Sequence, residues 1–159
     1  MNRDDLVQLF DKNKEDIAKY EKNKKRIKDI NELIRKIEKD ININTTTTYK
    51  EAQSSPTNKV NSVVENFVEQ KDEKIRKLEE ERTELEAENI VIKSRIEDVE
   101  IYLKALKFRE RTIIIEHYIE GNSYDDIGNR VYWQLFGQTR GGAAIKKIAD
   151  RAIEKMLKL

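Results

Sequence analysis

The most regular pattern in this sequence is an apolar repeat between residues 75 and 106. Positions that alternate by three and four residues are apolar there, apart from Arg82 and Asn89. The expected contact positions of this stripe are Ile75, Leu78, Leu85, Asn89, Ile92, Ile96 and Val99, and it continues to Leu103 and Leu106. This spacing is typical of a long coiled-coil helix that packs lengthwise against another helix.

A second stripe with the same spacing covers residues 6 to 41. Its apolar members are Leu6, Phe10, Ile17, Tyr20, Ile27 and Ile34, and the intervening stripe positions are Asn13, Lys24 and Asn31. Near the end, Ile30, Leu33 and Ile37 predict a sideways shift of the stripe. The sequence therefore predicts an N-terminal coiled-coil helix over residues 1–41.

The segment 42–60 interrupts both patterns. It contains four consecutive threonines, Thr45 to Thr48, and then Ser54, Ser55 and Pro56. Because β-branched residues disfavour helices and the residue before a proline disfavours helical backbone, we expect a flexible loop. The predicted organisation is 1–41, a loop at 42–60, a second coiled-coil helix at 61–106 and a separate domain at 107–159.

Two such helices joined by a loop are compatible with two arrangements. They form an antiparallel hairpin within one chain, or the second helices of two chains pair in a homodimer. Asn89 does not separate these arrangements. An asparagine at a contact position fixes register between chains, whereas in a hairpin the same residue lies at an exposed edge.

The C-terminal third contains start and stop signals for two short helices. A helix from Arg109 to Ile119 is expected to end at Gly121, and Ser123 is expected to cap the next helix. Asp125 and Asp126 are expected to stabilise the start of that helix, because their negative charge complements the positive end of the helix dipole. The expected buried positions are Leu106, Ile113, Ile114, Tyr118, Ile127, Gly128 and Val131.

The segment from Tyr132 to Gln138 is apolar and aromatic, but it is too short for its pattern to predict a helix. Aromatic side chains beside a basic segment are able to stack on bases. We instead expect Trp133 and Phe136 to fill the core, since a domain of this size needs every large apolar group it has.

A third helix begins between Thr139 and Gly142 and concentrates positive charge. Residues 139–159 contain six basic and two acidic residues, a net of +4, in a chain whose formal net charge is +1. Ile145, Ala149, Ala152, Ile153 and Met156 form its expected inner stripe. The candidate DNA-contacting residues are Thr139, Arg140, Gly141, Gly142, Ala144, Lys146, Lys147 and Arg151. Arginine reads guanine edges and lysine contacts phosphate, although a soluble amphipathic helix has the same pattern.

Composition excludes several classes of function. The chain has no cysteine, which excludes disulfides, thiol catalysis and cysteine-ligated zinc. His117 is the only histidine and has no catalytic context, and Gly141 and Gly142 lack the spacing of a phosphate-binding loop. No apolar run reaches the length of a membrane span, and the N-terminus lacks the layout of a signal peptide. We expect a cytoplasmic protein without catalytic activity, metal or cofactor.

These C-terminal residues resemble region four of bacterial sigma factors, and more closely the phage and prophage regulators built on it, the RinA/ArpU-type late-gene activators. The matching segments are residues 106–111, 118–128 and 145–156, about a third of the chain. The resemblance implies an all-α helix-turn-helix domain whose third helix enters the major groove. In that family about ten residues separate the positions of Gly128 and Ile145, and here the step is seventeen.

The resemblance and the basic helix together predict a sequence-specific regulator that binds double-stranded DNA at promoters and contacts RNA polymerase. No segment resembles the sigma region that melts promoters, so a complete sigma factor is not expected. Two other functions remain open. One is a DNA-packaging component similar to a phage small terminase subunit, which a ring-shaped oligomer would favour. The other is a structural coiled-coil adaptor, which an absence of salt-sensitive DNA binding would favour.

Overall fold

The computed structural model describes residues 2–52 and 59–159, with side chains described for 2–41 and 65–159, and these parts of the chain are all-helical. The elements are α1 (Arg3–Asp11), α2 (Asn13–Ala52), α3 (Lys59–Lys104), α4 (Phe108–Ile114), α5 (Tyr124–Asp126), α6 (Tyr132–Phe136) and α7 (Gly142–Met156). A π-helical turn, Ile115–Ile119, continues α4, and a second, Ile127–Val131, joins α5 to α6. The chain divides into two compact units, described separately below.

The first unit comprises residues Glu21–Ile90 and consists of facing parts of α2 and α3. Their polar contacts define an antiparallel arrangement. The amide of Asn23 donates to Glu88 over 2.8 Å, and Arg26 donates to both carboxylate oxygens of Glu81 over 2.7 and 2.9 Å. The α3 positions Ile75, Leu78 and Leu85 are half-buried within the single chain.

Asn89 lies inside this helix pair rather than at an exposed edge. Only 8% of its surface is accessible, and its Oδ1 atom is buried without a hydrogen-bond partner. The expectation that a hairpin would leave Asn89 at a solvent-exposed edge is therefore wrong. Burial of an unpaired amide oxygen costs about 1–3 kcal/mol, so Asn89 destabilises the helix pair it belongs to.

Most members of the predicted α2 stripe are buried or half-buried, but the sideways shift expected near Ile30 already begins at Asp16. The buried positions are Asn13, Asp16, Asn23, Ile30, Ile34 and Ile37, and Tyr20 and Ile27 are half-buried between them. The predicted members Ile17, Lys24 and Leu33 are exposed, Ile17 by 44% and Leu33 by 39%. Asp16 and Asn23 enter the stripe because Arg95 and Glu88 of α3 satisfy them, which an analysis of apolar residues alone cannot detect.

The backbone of α2 remains helical to Ala52, eleven residues beyond the predicted boundary at residue 41. The segment 42–52, including Thr45 to Thr48, is therefore helical where a loop was expected, and α3 begins at Lys59. Each threonine costs a fraction of a kcal/mol in a helix, and extending an existing helix is far easier than starting one. Residues 53–58 of the predicted loop lie outside the described residues.

The second unit comprises Met1–Tyr20 together with Val91–Leu159. Its core joins Leu6 and Phe10 of α1 to Val99 of α3 and to the apolar side chains of the C-terminal helices. The predicted inner positions Leu106, Ile113, Ile114, Ile127, Gly128, Val131, Ile145, Ala149, Ala152, Ile153 and Met156 are buried, and Tyr118 is half-buried. The unit thus extends beyond the predicted boundary at 107, because the N-terminal helix supplies two of its largest buried side chains.

Asp16 and Arg95 connect the first turns of α2 to α3 within this second unit. Two guanidinium nitrogens of Arg95 donate to the two Asp16 carboxylate oxygens over 2.6 and 2.7 Å. These hydrogen bonds lower the pKa of the largely buried Asp16. Nearby, the predicted contact positions Ile92 and Val99 are buried, and Ile96 is half-buried.

Candidate nucleic-acid interface

The junction between α4 and α5 is closed by local backbone geometry. Gly121 has a positive φ of 77°, as its position after the first helix predicted, and this conformation favours glycine. The backbone N–H of Asn122 donates a hydrogen bond to the backbone carbonyl of Glu116 over 2.9 Å. The side-chain amide of Asn122 donates to the Glu116 carboxylate over 2.7 Å. These bonds fix the angle at which the next helix begins.

His117 contributes packing to this junction, a role that the sequence did not suggest. Its ring stacks on Tyr124 with the centroids 3.8 Å apart, and its Nδ1 atom lies 2.8 Å from the carbonyl oxygen of Asn122. The hydroxyls of Tyr118 and Tyr124 are 3.4 Å apart. Burial, followed by the contact with Tyr118, raises the pKa of Tyr124, which remains a neutral phenol.

The second helix of the C-terminal region is longer than predicted. Ser123 caps its start, accepting a hydrogen bond from the backbone of Asp126 over 3.1 Å, as expected. The helix then continues through α5, the π-helical turn and α6 to Gly137, whose φ of 65° ends it. The aromatic segment from Tyr132 to Phe136, which was too short to predict a helix, therefore belongs to this helix.

This extension places the aromatic side chains on two different faces. Tyr132 is buried in the core, and Phe136 is half-buried against it. Trp133 is 57% exposed, so the expectation that it would fill the core is wrong. Residues four apart share a helix face, which is why Tyr132 and Phe136 point inward together while Trp133 points outward.

Two hydrogen bonds connect the turn between α6 and α7, and the first residue of α7, to α5 and its π-helical continuation. In the first, the backbone N–H of Arg140 donates to the carbonyl of Gly128 over 3.1 Å. A Cβ atom on Gly128 would lie 1.9 Å from the Arg140 carbonyl oxygen and 3.3 Å from Ile145, so only glycine fits there. The close approach expected at Gly128 is confirmed. Gly128 contacts both the turn, at Arg140, and helix α7, at Ile145.

The second of these hydrogen bonds involves Asp125, whose role sequence analysis missed. Its Oδ1 atom accepts a hydrogen bond from the backbone N–H of Gly142 over 3.1 Å, at the first residue of α7. Asp125 therefore satisfies the start of α7, in addition to lying in the first turn of α5. No local signal identifies this bond, because seventeen residues separate the partners. It also explains why Gly142, a predicted DNA contact, is buried under Asp125.

The other predicted DNA-contacting residues are exposed. Thr139, Arg140 and Gly141 lie in the turn, and Ala144, Lys146, Lys147 and Arg151 lie on the outer side of α7. Within the described part of the chain, no carboxylate lies within ion-pair distance of any of these basic side chains. The turn and the exposed face of α7 therefore present uncompensated positive charge to solvent.

Two ion pairs hold α7 from its other sides. Asp150 pairs with Arg3 of α1, and Lys155 pairs with Glu110 of α4. Burial opposes ionisation of Glu110, but hydrogen bonds from Lys155 and from the backbone of Lys107 keep its pKa below the ordinary value. The two pairs involve Asp150 and Lys155 of α7. The basic residues Lys146, Lys147 and Arg151 take part in neither pair.

A cleft of about 520 Å³ opens beside this face, between the start of α4, α6 and α7. Its basic lining residues are Lys107, Arg109, Arg140 and Arg151, and its apolar ones include Phe108 and Phe136. The guanidinium of Arg109 lies 4.8 Å from the centre of the Phe136 ring, and that of Arg140 lies 5.4 Å from the centre of Tyr132. The cleft combines aromatic walls with a positively charged rim.

No group of three or more histidine, aspartate or glutamate side chains among the described residues is arranged to hold a metal ion. None of the described helices combines the length and the apolar character needed to span a bilayer.

Comparison with known proteins gives no relative. No protein-family model matches the chain, and neither a curated protein nor a solved structure is significantly similar to it.

Proposed function

We propose that this protein is a double-stranded DNA-binding transcriptional regulator in which α5 to α7 act as a helix-turn-helix unit. The observation that carries the proposal is the exposed face formed by Arg140, Ala144, Lys147 and Arg151, which has positive charge without acidic partners. A major groove admits one α-helix, and phosphates on both sides of it attract such charge.

The fastening of α7 supports the proposal physically. A recognition helix needs a fixed orientation, because a base edge is read only by side chains held at a defined position. The Gly128–Arg140 contact and the Asp125 cap fix the turn and the first residue of α7. The small side chain of Ala144 leaves the first turn of α7 open to close approach by a groove wall.

We further propose that the regulator acts at promoters and that RNA polymerase is a partner, as the resemblance to region four of sigma factors implies. The exposed side chains of Trp133 and Leu135 on α6 offer an apolar surface for a protein contact. The same surface is the one observation that favours the alternative of a structural adaptor.

A substitution at Ala144 separates DNA binding from folding. Ala144 is exposed in the first turn of α7, where a carboxylate complements the helix dipole, so Ala144→Glu should leave the stability unchanged or raise it by about 0.3–1 kcal/mol. The added negative charge on the proposed face should lower duplex affinity by more than about tenfold. Lys147→Ala should weaken binding to all sequences and reduce the salt slope by about one.

The measurement is fluorescence anisotropy with duplexes selected from genomic fragments, at several salt concentrations, together with thermal unfolding. Lys93→Ala is the matched control, because Lys93 is an exposed lysine that forms an ion pair with Glu97 on the same helix, α3. If wild type and Ala144→Glu bind duplex DNA equally, α7 does not enter a groove and the proposal fails.

A further inference from the structure

The cleft between α4, α6 and α7 gathers basic side chains from separate elements. Other cations of the same unit form long-range ion pairs, such as Arg3 with Asp150 and Arg95 with Asp16. Lys107, Arg109, Arg140 and Arg151 instead converge on one cavity, and among the described residues no carboxylate pairs with them. Four like charges repel one another when gathered in this way, and an anion placed among them would relieve that repulsion.

The single acidic residue in the lining does not cancel this charge. Glu110 is already paired with Lys155 and accepts a hydrogen bond from the backbone of Lys107. Its contribution is therefore balanced by a cation that lies outside the lining. The net local charge remains strongly positive, so the expected ligand carries negative charge at the rim of the cleft.

The aromatic walls indicate what else the ligand must contain. Phe108 is 62% exposed, and its ring meets Phe136 edge-to-face with the centroids 6.0 Å apart. Beside it the guanidinium of Arg109 offers a second flat surface. A planar, uncharged ring next to an anionic group matches this combination, and a nucleotide has both parts.

We propose that this cleft binds one unpaired nucleotide, with its base against Phe108 and Arg109 and its phosphate among the surrounding cations. A paired base is covered by its neighbours in the duplex and cannot stack on these walls, so the ligand is single-stranded or locally opened DNA. Arg140 and Arg151 lie both in the cleft and on the proposed duplex-binding face. This continuity favours nucleic acid over an acidic peptide, and it is the one step that rests on the proposed function.

The test uses the full chain and an end-labelled oligothymidylate of about 12 nucleotides, followed by fluorescence anisotropy. Phe108→Ala should weaken its binding about tenfold, since stacking on one aromatic ring contributes an effect of that size. Arg109→Gln should weaken binding and flatten its salt dependence. The controls are Ile101→Ala, an exposed apolar residue of α3 outside the lining, and Lys93→Gln, and both should bind as wild type does.

Thermal unfolding of each variant checks the fold, and Phe108 is exposed enough that its truncation should leave the melting temperature nearly unchanged. The proposal is overturned if wild type does not bind oligothymidylate, or if both cleft variants bind it as wild type does. It is also overturned if an oligoglutamate peptide binds in a manner that depends on Phe108 and oligothymidylate does not. In that case the cleft serves a protein partner.

Duplex binding measured in parallel keeps the two proposals distinct. Both sites are supported if Phe108→Ala loses oligothymidylate binding and if Ala144→Glu still lowers duplex affinity as predicted above. Oligothymidylate binding without duplex binding in wild type refutes only the groove-binding helix. Duplex binding without oligothymidylate binding refutes only the nucleotide cleft.

Discussion

Gly128 is the position at which one methyl group should have the largest effect on the C-terminal unit. In Gly128→Ala the new Cβ atom would lie 1.9 Å from the carbonyl oxygen of Arg140, whereas ordinary contacts begin near 3.4 Å. The turn must therefore move by about 1.5 Å, and the obstacle is backbone rather than the end of a flexible side chain. Such a displacement also breaks the 3.1 Å hydrogen bond between Arg140 and Gly128.

The expected cost combines three contributions. Overpacking of a rigid site costs about 1–3 kcal/mol, and the lost backbone hydrogen bond costs about 1 kcal/mol. Alanine returns up to about 1 kcal/mol through its better helix propensity. We expect Gly128→Ala to lower the free energy of unfolding of this unit by about 1–4 kcal/mol.

Two other glycines provide matched controls. At Gly137 an added Cβ meets no atom within 4 Å, but φ is +65°, so Gly137→Ala should cost about 1–2 kcal/mol. At Gly141 the space is also open and φ is −63°, so Gly141→Ala should change stability by less than about 1 kcal/mol. The series thus separates steric overlap from backbone strain.

Urea unfolding monitored by tryptophan fluorescence is the suitable assay. Trp133 is the only tryptophan in the chain and lies on α6, within the unit that the substitutions affect. The urea midpoint should be highest for Gly141→Ala, lower for Gly137→Ala and lowest for Gly128→Ala. The slope of the unfolding free energy against urea concentration should change little. If Gly128→Ala is no less stable than Gly137→Ala, the proposed contact between the turn and Gly128 is incorrect.

Three further outcomes follow from the polar contacts. Asp125→Ala should destabilise the C-terminal unit by about 1 kcal/mol and speed hydrogen exchange at the Gly142 amide, whereas Asp125→Asn should retain most of the cap. The lowered pKa of Asp16 beside Arg95 means that its stabilisation is present above about pH 4 and is lost as the pH falls through that lowered value. Acid titration of stability should therefore be shallower in Asp16→Asn than in wild type. Asn89→Leu should raise stability by about 1 kcal/mol, because it removes a buried amide oxygen that has no partner, and light scattering should give an unchanged mass. A change in mass would instead assign Asn89 to a contact between chains.

The sequence by itself determined those features that depend on neighbours in the chain. Helical spacing predicted the buried stripe of α3 and the inner stripe of α7, since one turn of helix brings nearby residues to one face. Local chemistry also predicted the Ser123 cap and the left-handed Gly121, because both act on backbone within a few residues. The exposed basic face of α7 followed from the same spacing.

Tertiary structure decided the features that depend on partners distant in the chain. The early shift of the α2 stripe could not be predicted, because Asp16 is buried only where Arg95 satisfies its charge. The same holds for Asp125, whose partner Gly142 lies on another helix, and for the cleft, whose cations come from separate elements. Burial of a polar group is favourable only when a partner is in place, and the partner's position is a property of the folded chain.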